Sequence, residues 1–578
     1  MKKTIALLLS LVMVFTSFSV LMLNASAEDA PANPQPGTDA YAQALDQAGY
    51  TAVRTLGEIS DYSPTAKYYL TSDVVLPAGT SVLRGGDFSG ILDGNGHTVY
   101  NSVNALFATL KGTLKNITFS KYTNTEKTDV FETKVSLINN IGNGAVLENV
   151  VSDRTFQNDI SDFWGAIVRE IPANATVTFK GVVNNSSIGY PYVGYNIKIG
   201  GFIGLAQNGC TVIFEDCVNN ATVKGSQAGG FIAVLMGGNT ISFKNCVNNG
   251  TVLGSIGNSM NGEAARGVAG GFIGSLNNCY KREAPLTITF ENCVNAGDVL
   301  RWEGSYSACT KTDYKVAQGG FIGNLGEGGN ANNPLTLTFK NCKVSACYVG
   351  AGTAWSDIVN ETTGEVTTDY TQGYVGAIVG WLGSTNNTDA ITIENVTVNN
   401  VKIESADPAY ASLFINTNEA AQTAQTVTLK NCIAYTCEGA TSAATGNVNF
   451  ANTATSTGVT VNKTQKSAIQ DEKLALRFLG SVDSLSYTSL GFIVKKTANG
   501  VTTYDFLFAR AAYNEVNNGS STLTKADFNG SYITAAILAD VSATETATYE
   551  VTPYAIDLDG NAVVGHAKSI TVTNGSLS

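Results

Sequence analysis

Between Gly200 and Cys342 one two-part phrase is stated four times, and no other feature limits the possible folds as strongly. Its first part reads Gly200-Gly-Phe-Ile-Gly204, Gly229-Gly-Phe-Ile-Ala233, Gly270-Gly-Phe-Ile-Gly274 and Gly319-Gly-Phe-Ile-Gly323. Its second part reads Thr211-Val-Ile-Phe-Glu-Asp-Cys217, Thr240-Ile-Ser-Phe-Lys-Asn-Cys246, Thr287-Ile-Thr-Phe-Glu-Asn-Cys293 and Thr336-Leu-Thr-Phe-Lys-Asn-Cys342. Each phrase is too short to bury an apolar face alone, so copies must stack on one another to make a core. The expected architecture is a solenoid of strands.

Weaker copies extend the pattern in both directions: Leu114–Phe119, Val146–Val150, Thr176–Val182, Ile391–Val396 and Thr426–Cys432. Within the tightest copies three strand-like pieces alternate with turns, Gly229-Gly-Phe-Ile, Thr240-Ile-Ser-Phe and Thr251-Val-Leu. Three pieces in constant order predict a parallel β-helix, with Ile241 and Phe243 pointing inward. The residue before Cys is Asn in most copies and falls at a turn, where Asn tolerates left-handed backbone and its amide can bond from coil to coil. About nine coils at the strand spacing of about 4.8 Å would make a rod roughly 43 Å long.

Ten cysteines would suggest disulfides in a chain that is secreted. The repeat argues for free thiols instead. Cys217, Cys246, Cys293, Cys342 and Cys432 share one repeat position with Val150, Val182 and Val396, which is how a small buried hydrophobe behaves. Stacked Cβ atoms about 4.8 Å apart also exceed the roughly 3.8 Å that a relaxed disulfide prefers. Cys347 and Cys437 are read as a second inward row, and a loop disulfide among Cys210, Cys279 and Cys309 stays open.

The chain begins with a positive Met1-Lys2-Lys3, an apolar run from Thr4 to Leu23 and Ala25-Ser26-Ala27, the form of a secretory signal peptide cleaved between Ala27 and Glu28. The run is also long enough for an uncleaved anchor. No later stretch approaches a membrane span, so a soluble extracellular or cell-surface protein is expected, without membrane insertion after cleavage. The formal net charge of −12 becomes −14 once Lys2 and Lys3 are removed, which argues against nucleic acid as a partner. Composition agrees with strands and turns, with 59 glycines and 11 prolines. The expected division is 1–27 signal peptide, 28–64 linker and cap with a short helix near Tyr41–Ala48, 65–462 parallel β-helix, and 466–578 a β-sandwich of alternating short strands.

The alternation of Gly-Gly-Phe-Ile-Gly with Thr-Ile-x-Phe-x-Asn-Cys-Val-Asn-x-Gly-x-Val resembles the GLUG repeat of bacterial surface proteins. Phe88-Ser-Gly-Ile-Leu-Asp-Gly-Asn-Gly-His-Thr-Val99 resembles the opening coils of right-handed, pectin-lyase-like β-helices, and Tyr549–Asn561 is similar to a late hairpin of fibronectin type III or Ig-like modules. The resemblance implies an all-β, right-handed parallel β-helix of about nine or ten coils followed by a small sandwich. It implies no single activity, because such repeats occur in adhesins and in accessory domains of secreted peptidases.

Catalytic signatures are sparse. His97 and His566 are the two histidines, neither in a His-Glu-x-x-His context, and no nucleophile elbow, phosphate loop or Cys-x-x-Cys pair is visible. A glycosidase needs two carboxylates about 5 to 10 Å apart. Glu215, Asp216, Glu291 and Glu394 instead alternate with Lys244, Lys340 and Lys430, as on a charge-paired, solvated sheet face. The connection leading into the Gly-Gly-Phe-Ile phrase lengthens along the chain, and its last two copies carry Trp302, Tyr306, Tyr314, Trp355 and Tyr370 beside Arg301, Glu303 and Asp357. Exposed aromatics near polar groups suit sugar rings or a protein partner; the alternative is that they pack back onto the sheet. The sequence therefore predicts a non-catalytic binding or adhesion module for a carbohydrate or surface protein, with no cofactor and no metal. A polysaccharide-active enzyme and a structural spacer are the alternatives.

Overall fold

The computed structural model describes residues 34–59, 66–77, 83–130, 132–156, 163–189, 197–258, 264–276, 284–302, 316–325, 333–350, 358–359, 366–367, 373–382, 389–405, 410–416, 427–435, 437–440, 448–451, 459–470, 473–482, 487, 489–508, 510–511, 531–539, 545–558, 562–573 and 576–577. The signal-peptide reading and its Ala27/Glu28 cleavage site lie outside these residues. The described chain is all-β apart from one short α-helix and one 3-10 turn. Long stacks of parallel strands dominate it, an arrangement consistent with a parallel β-helix; four sheets, of 22, nine, seven and seven strands, hold them.

One turn of chain shows why. From Gln227–Gly229 the backbone bends at Gly230 and Phe231 into Ile232–Leu235, then runs through Thr240–Lys244, Val247–Asn248 and Val252–Asn258. Each segment pairs in parallel with its counterpart in the next copy: Thr240 to Lys244 with Thr287 to Glu291, Val247 with Val294, Val252 with Val299, Gly229 with Gly270, and Ile232 with Ile273. The Gly-Gly-Phe-Ile phrase, read from sequence as one strand, is a corner between two strands. Asp93-Gly94-Asn95-Gly96 is likewise a corner: Asn95 and Gly96 have φ of 48° and 77°, and the flanking strands pair with other turns of chain rather than with each other.

Inside, two columns of phenylalanine run the length of the best repeats. Phe179, Phe214, Phe243, Phe290 and Phe339 stack with centroids 4.8, 4.7, 4.8 and 4.7 Å apart. Phe202, Phe231, Phe272 and Phe321 stack at 4.6, 4.8 and 4.9 Å. The columns meet edge to face at 5.2 to 6.1 Å, a geometry worth about 0.5–1.5 kcal/mol per pair beyond area burial. Val150, Val182, Cys217, Cys246, Cys293, Cys342, Val396 and Cys432 form a further buried column. The described cysteines are all free.

Asparagines set the bends. Asn116, Asn149, Asn245, Asn292, Asn341, Asn395 and Asn431 all have φ between 51° and 55°, as does Asp216 at 54°, and Gly181 holds the same place at 60°. Their side chains bond from turn to turn: Asn149 to Asn116 (3.1 Å), Asn245 to Asp216 (2.9 Å), Asn292 to Asn245 (3.1 Å), Asn341 to Asn292 (3.2 Å) and Asn395 to Asn341 (3.0 Å). Asp216, read from sequence as part of the charge ladder, belongs to this row and accepts the Asn245 amide.

A second asparagine row lies inside. Asn184 donates to Asn219 (2.9 Å), Asn219 to Asn248 (2.8 Å) and Asn248 to Asn295 (2.8 Å), and all four are wholly buried. Asn219, Asn248 and Asn295 each also donate to a carbonyl two residues on, Asn248 to that of Gly250 at 3.0 Å.

The helix α1 (Asp39–Gln47) is capped by Thr38, whose hydroxyl accepts from the Tyr41 N–H. It lies against the outer flank of the first strands, where Tyr41 donates to Asp93 (2.8 Å), Tyr69 donates to Asp46 (2.9 Å) and Lys115 reaches Asp93 at 3.1 Å. The segment that follows contributes Val53, Leu56 and Ile59 to the core. Arg154, 1% exposed, fastens the irregular connections nearby. Its guanidinium donates to the carbonyls of Ser102 (2.8 Å) and Val135 (3.1 Å) and to the Thr133 hydroxyl (3.1 Å); burial pulls its pKa down to about 9.

Beyond Ala451 the pairing becomes antiparallel. Val459–Gln470, Lys473–Val482, Ser531–Ala539 and Arg510–Ala511 form one sheet, and Val501–Phe508, Ser489–Ala498, Thr546–Ile556, Ala562–Val564, Lys568–Thr573 and Ser576–Leu577 another. Leu476 and Phe478 of the first share a core with Phe492, Val494, Tyr549 and Val551 of the second. This region packs on the last parallel strands: Phe506 lies 5.7 Å from Phe414, and Ile433 is buried with Ile493, Tyr554 and Ile556.

Candidate binding surface

The corner built by the Gly-Gly phrase is concave on its outer side. Ile199, Ala228 and Ala269 point into the core, so by alternation Gly200, Gly229 and Gly270 point out. A Cβ on any of these glycines would lie 1.9 Å from the carbonyl oxygen of Ile203, Ile232 or Ile273, three residues ahead. The following strand therefore doubles back along the outside, and only a missing side chain lets the two backbones touch. The second glycine is equally confined: a Cβ at Gly230 would meet the Gly271 carbonyl at 2.0 Å and the Asn248 amide oxygen at 2.6 Å.

Side chains from the two walls fill this outer corner. Near its start Lys198 lies over the Phe163 ring at 4.1 Å, and Phe163 and Met236 pack against a cluster of Leu205, Ala233 and Val234. Further along, Ser275 and Gln227 hydrogen-bond across it. At its far end Val268, Ala317, Tyr374 and Trp381 cluster with Tyr410; Tyr374 lies 5.8 Å from Trp381 and 5.0 Å from Tyr410. Burial pushes the Tyr374 phenol up to about 12.

The long connections flank both walls. One set precedes the strands Val316–Gly319 and Gly373–Gly376, and another follows Ile273–Leu276, Ile322–Asn324 and Val379–Trp381. Two antiparallel ribbons mark such insertions, Ile256 opposite Arg266 and Ile358 opposite Thr367. Trp302 ends the strand Val299–Trp302 in register with Ser255, and the adjacent Arg301 is buried. Tyr306, Tyr314, Trp355 and Tyr370 lie outside the described residues, as do Glu303 and Asp357, so the five aromatics are not brought together by any described contact. Tyr374, Trp381 and Tyr410 were not singled out by sequence. Their signal was the departure of Gly373-Tyr-Val-Gly376 and Val379-Gly-Trp381 from the small residues of earlier copies.

Elsewhere charged side chains of opposite sign face one another along the stack. Asp93, Lys115, Glu148, Lys180, Glu215, Lys244, Glu291, Lys340, Glu394 and Lys430 stand in register, strictly alternating in sign. His97 sits 3.3 Å from Asp73 at the first turns. Tyr348 donates to Glu404 at 2.6 Å and Lys402 reaches the same carboxylate at 2.6 Å; the Lys402 bond, with the Tyr348 hydroxyl, holds Glu404 below the usual carboxylate range. Among the described residues no three His, Cys, Asp or Glu side chains converge as a metal site, and no helix is long and apolar enough to cross a membrane. No protein-family model matches the chain, and neither does any curated protein or solved structure.

Proposed function

We propose that this chain is a secreted or cell-surface binding module without catalytic activity, a GLUG-type right-handed β-helix of about nine or ten coils followed by an Ig- or fibronectin III-like sandwich. Its ligand is a carbohydrate or a surface protein, held by the insertions that flank the outer corner. The observation that supports this reading most is that long insertions adjoin successive strands of both walls and that Trp302 ends the strand from which one of them departs; Tyr374 and Trp381, 2% and 1% exposed, are packing within the corner. Aromatic faces beside polar groups bind sugar rings and anchor protein partners. The ordered outer face, with alternating charges in register, leaves the insertions as the variable chemistry of the molecule.

The test uses protein from Glu28 onward on a panel of plant, host and bacterial-wall polysaccharides, scoring retention and released product together. Retention without product, lost in Trp302→Ala and Trp355→Ala, is the expected result. Released product would overturn the non-catalytic reading. Neither retention nor product would overturn a carbohydrate ligand and leave a surface protein or a spacer role.

A further inference from the structure

The charge ladder runs down the outer face of the largest sheet, one residue per strand, and helix α1 occupies its first two positions. There Tyr41 donates to the wholly buried Asp93, and the Lys115 ammonium lies 5.5 Å from the centre of the Tyr50 ring. Eight positions remain, from Glu148 to Lys430. Of these, Lys180, Lys244, Glu291, Lys340 and Lys430 are exposed. The face is level, because the rings from Phe179 to Phe339 beneath it tilt by only 3° to 12° from one strand to the next. The outward rows beside the charges are uncharged, as at Thr287 and Thr289 opposite Thr336 and Thr338.

Symmetry selects what such a face fits. Two copies meeting here with their stacks parallel about a twofold axis would set each strand against itself, and every charge would meet its like. With the stacks antiparallel, and the axis running along the strands between Lys244 and Glu291, every charge meets its opposite. Glu148 then faces Lys430, Lys180 faces Glu394, Glu215 faces Lys340 and Lys244 faces Glu291, each pair occurring twice across an isologous interface. Eight strands at about 4.8 Å by five residues at about 3.3 Å make a patch of about 38 by 17 Å, which is about 650 Å² per copy and about 1,300 Å² in all, within the range of specific interfaces. We propose that the outer face of the 22-stranded sheet is a homodimer interface, on which two copies lie antiparallel with their charge ladders opposed. Complementary charges fix the register of such an interface. The inference uses none of the residues assigned to ligand binding and is independent of that assignment.

Sedimentation equilibrium of the chain from Glu28 onward, at physiological ionic strength and micromolar concentration, should show a dimer; a monomer would overturn the proposal. Two variants test the opposition of charges. One carries Glu215→Gln, Glu291→Gln and Glu394→Gln, the other Lys180→Gln, Lys244→Gln and Lys340→Gln. Alone, each keeps only the Glu148–Lys430 pair and should dimerise at least about tenfold more weakly than the parent. Mixed, they pair every remaining charge of the ladder, so a heterodimer tighter than either homodimer is expected, and a mixture no tighter than its components would overturn the arrangement. Should a variant lose its β-sheet circular dichroism, zero-length carbodiimide cross-linking of the parent dimer decides. Lys180 and Glu394 lie five strands apart in one copy, about 24 Å, so a Lys180–Glu394 link joins two copies in this register. A dimer without that link would overturn the register.

Discussion

Replacing Asn248 by valine should destabilise the stack by about 3–5 kcal/mol. The side chain accepts from Asn219 at 2.8 Å and donates to Asn295 at 2.8 Å and to the Gly250 carbonyl at 3.0 Å, all out of solvent. Losing the three bonds strands three buried groups, one Asn219 N–H, the Asn295 amide oxygen and the Gly250 carbonyl, at about 1–3 kcal/mol each, and relaxation around the site keeps the total toward the lower end of that sum. Space is not the difficulty, because Val344 and Val398 follow Asn295 in the same row. The control is Asn249→Ala, which removes an exposed 2.9 Å bond to Asn220 and should cost less than about 0.5 kcal/mol. Solenoids can open locally, so the assay is native-state hydrogen exchange of the amides of Val247, Val294 and their neighbours, beside urea unfolding. Equal exchange in Asn248→Val and Asn249→Ala would refute the argument that the inner row carries stability.

Gly270→Ala, whose Cβ would meet the Ile273 carbonyl at 1.9 Å and the Gly323 nitrogen at 2.6 Å, should prevent closure of the outer corner and lower the yield of folded protein. Gly144→Ala, at φ 83° with open space, should cost only about 1 kcal/mol of backbone strain, as thermal unfolding of the two would show. Burial pushes the Cys210 and Cys432 thiols up to about 11 and about 12. The unfolded chain then loses these protons first, so stability should fall as pH rises above about 9 and level off near those values. Cys432→Val should flatten that slope in urea titrations from pH 8 to 11, whereas an unchanged slope would remove the thiol from the account. Because Glu404 is held low, its contribution is present at neutral pH and is lost as pH falls through its folded value. Lys402→Met should move the Glu404 titration upward, observable by carboxyl NMR.

Much of this architecture can be read in the chain because stacking turns each repeated residue into a row. Asn before Cys predicts a left-handed bend with an amide ladder, and the φ values of 51° to 55° and the 2.9 to 3.2 Å bonds from Asn245 to Asn395 are its physical form. The second asparagine of Cys-Val-Asn was missed because polarity was set above alternation. Counted from the inward Cys217, Val218 faces out and Asn219 faces in, and the amides bond one another rather than water. Gly-Gly-Phe-Ile misled in the opposite sense: small and apolar residues suit a strand and a tight corner alike, and only the position of the following strand distinguishes them. Tyr374 and Trp381 acquire a common location only once that corner exists, so no local pattern could pair them. The insertion aromatics have no repeat to constrain them, and stacking says nothing of their positions.

The alternating ladder from Asp93 to Lys430 also gives the molecule a parity. Removing the single turn of chain that carries Lys244 would set Glu215 beside Glu291, and duplicating it would oppose two lysines; like charges directly opposed on neighbouring strands destabilise a sheet. Removing or adding two turns restores every alternation. Over evolutionary time a rod of this kind is expected to change length in even steps, so lineages with longer or shorter forms should differ by pairs of copies, with single-copy changes confined to the ends.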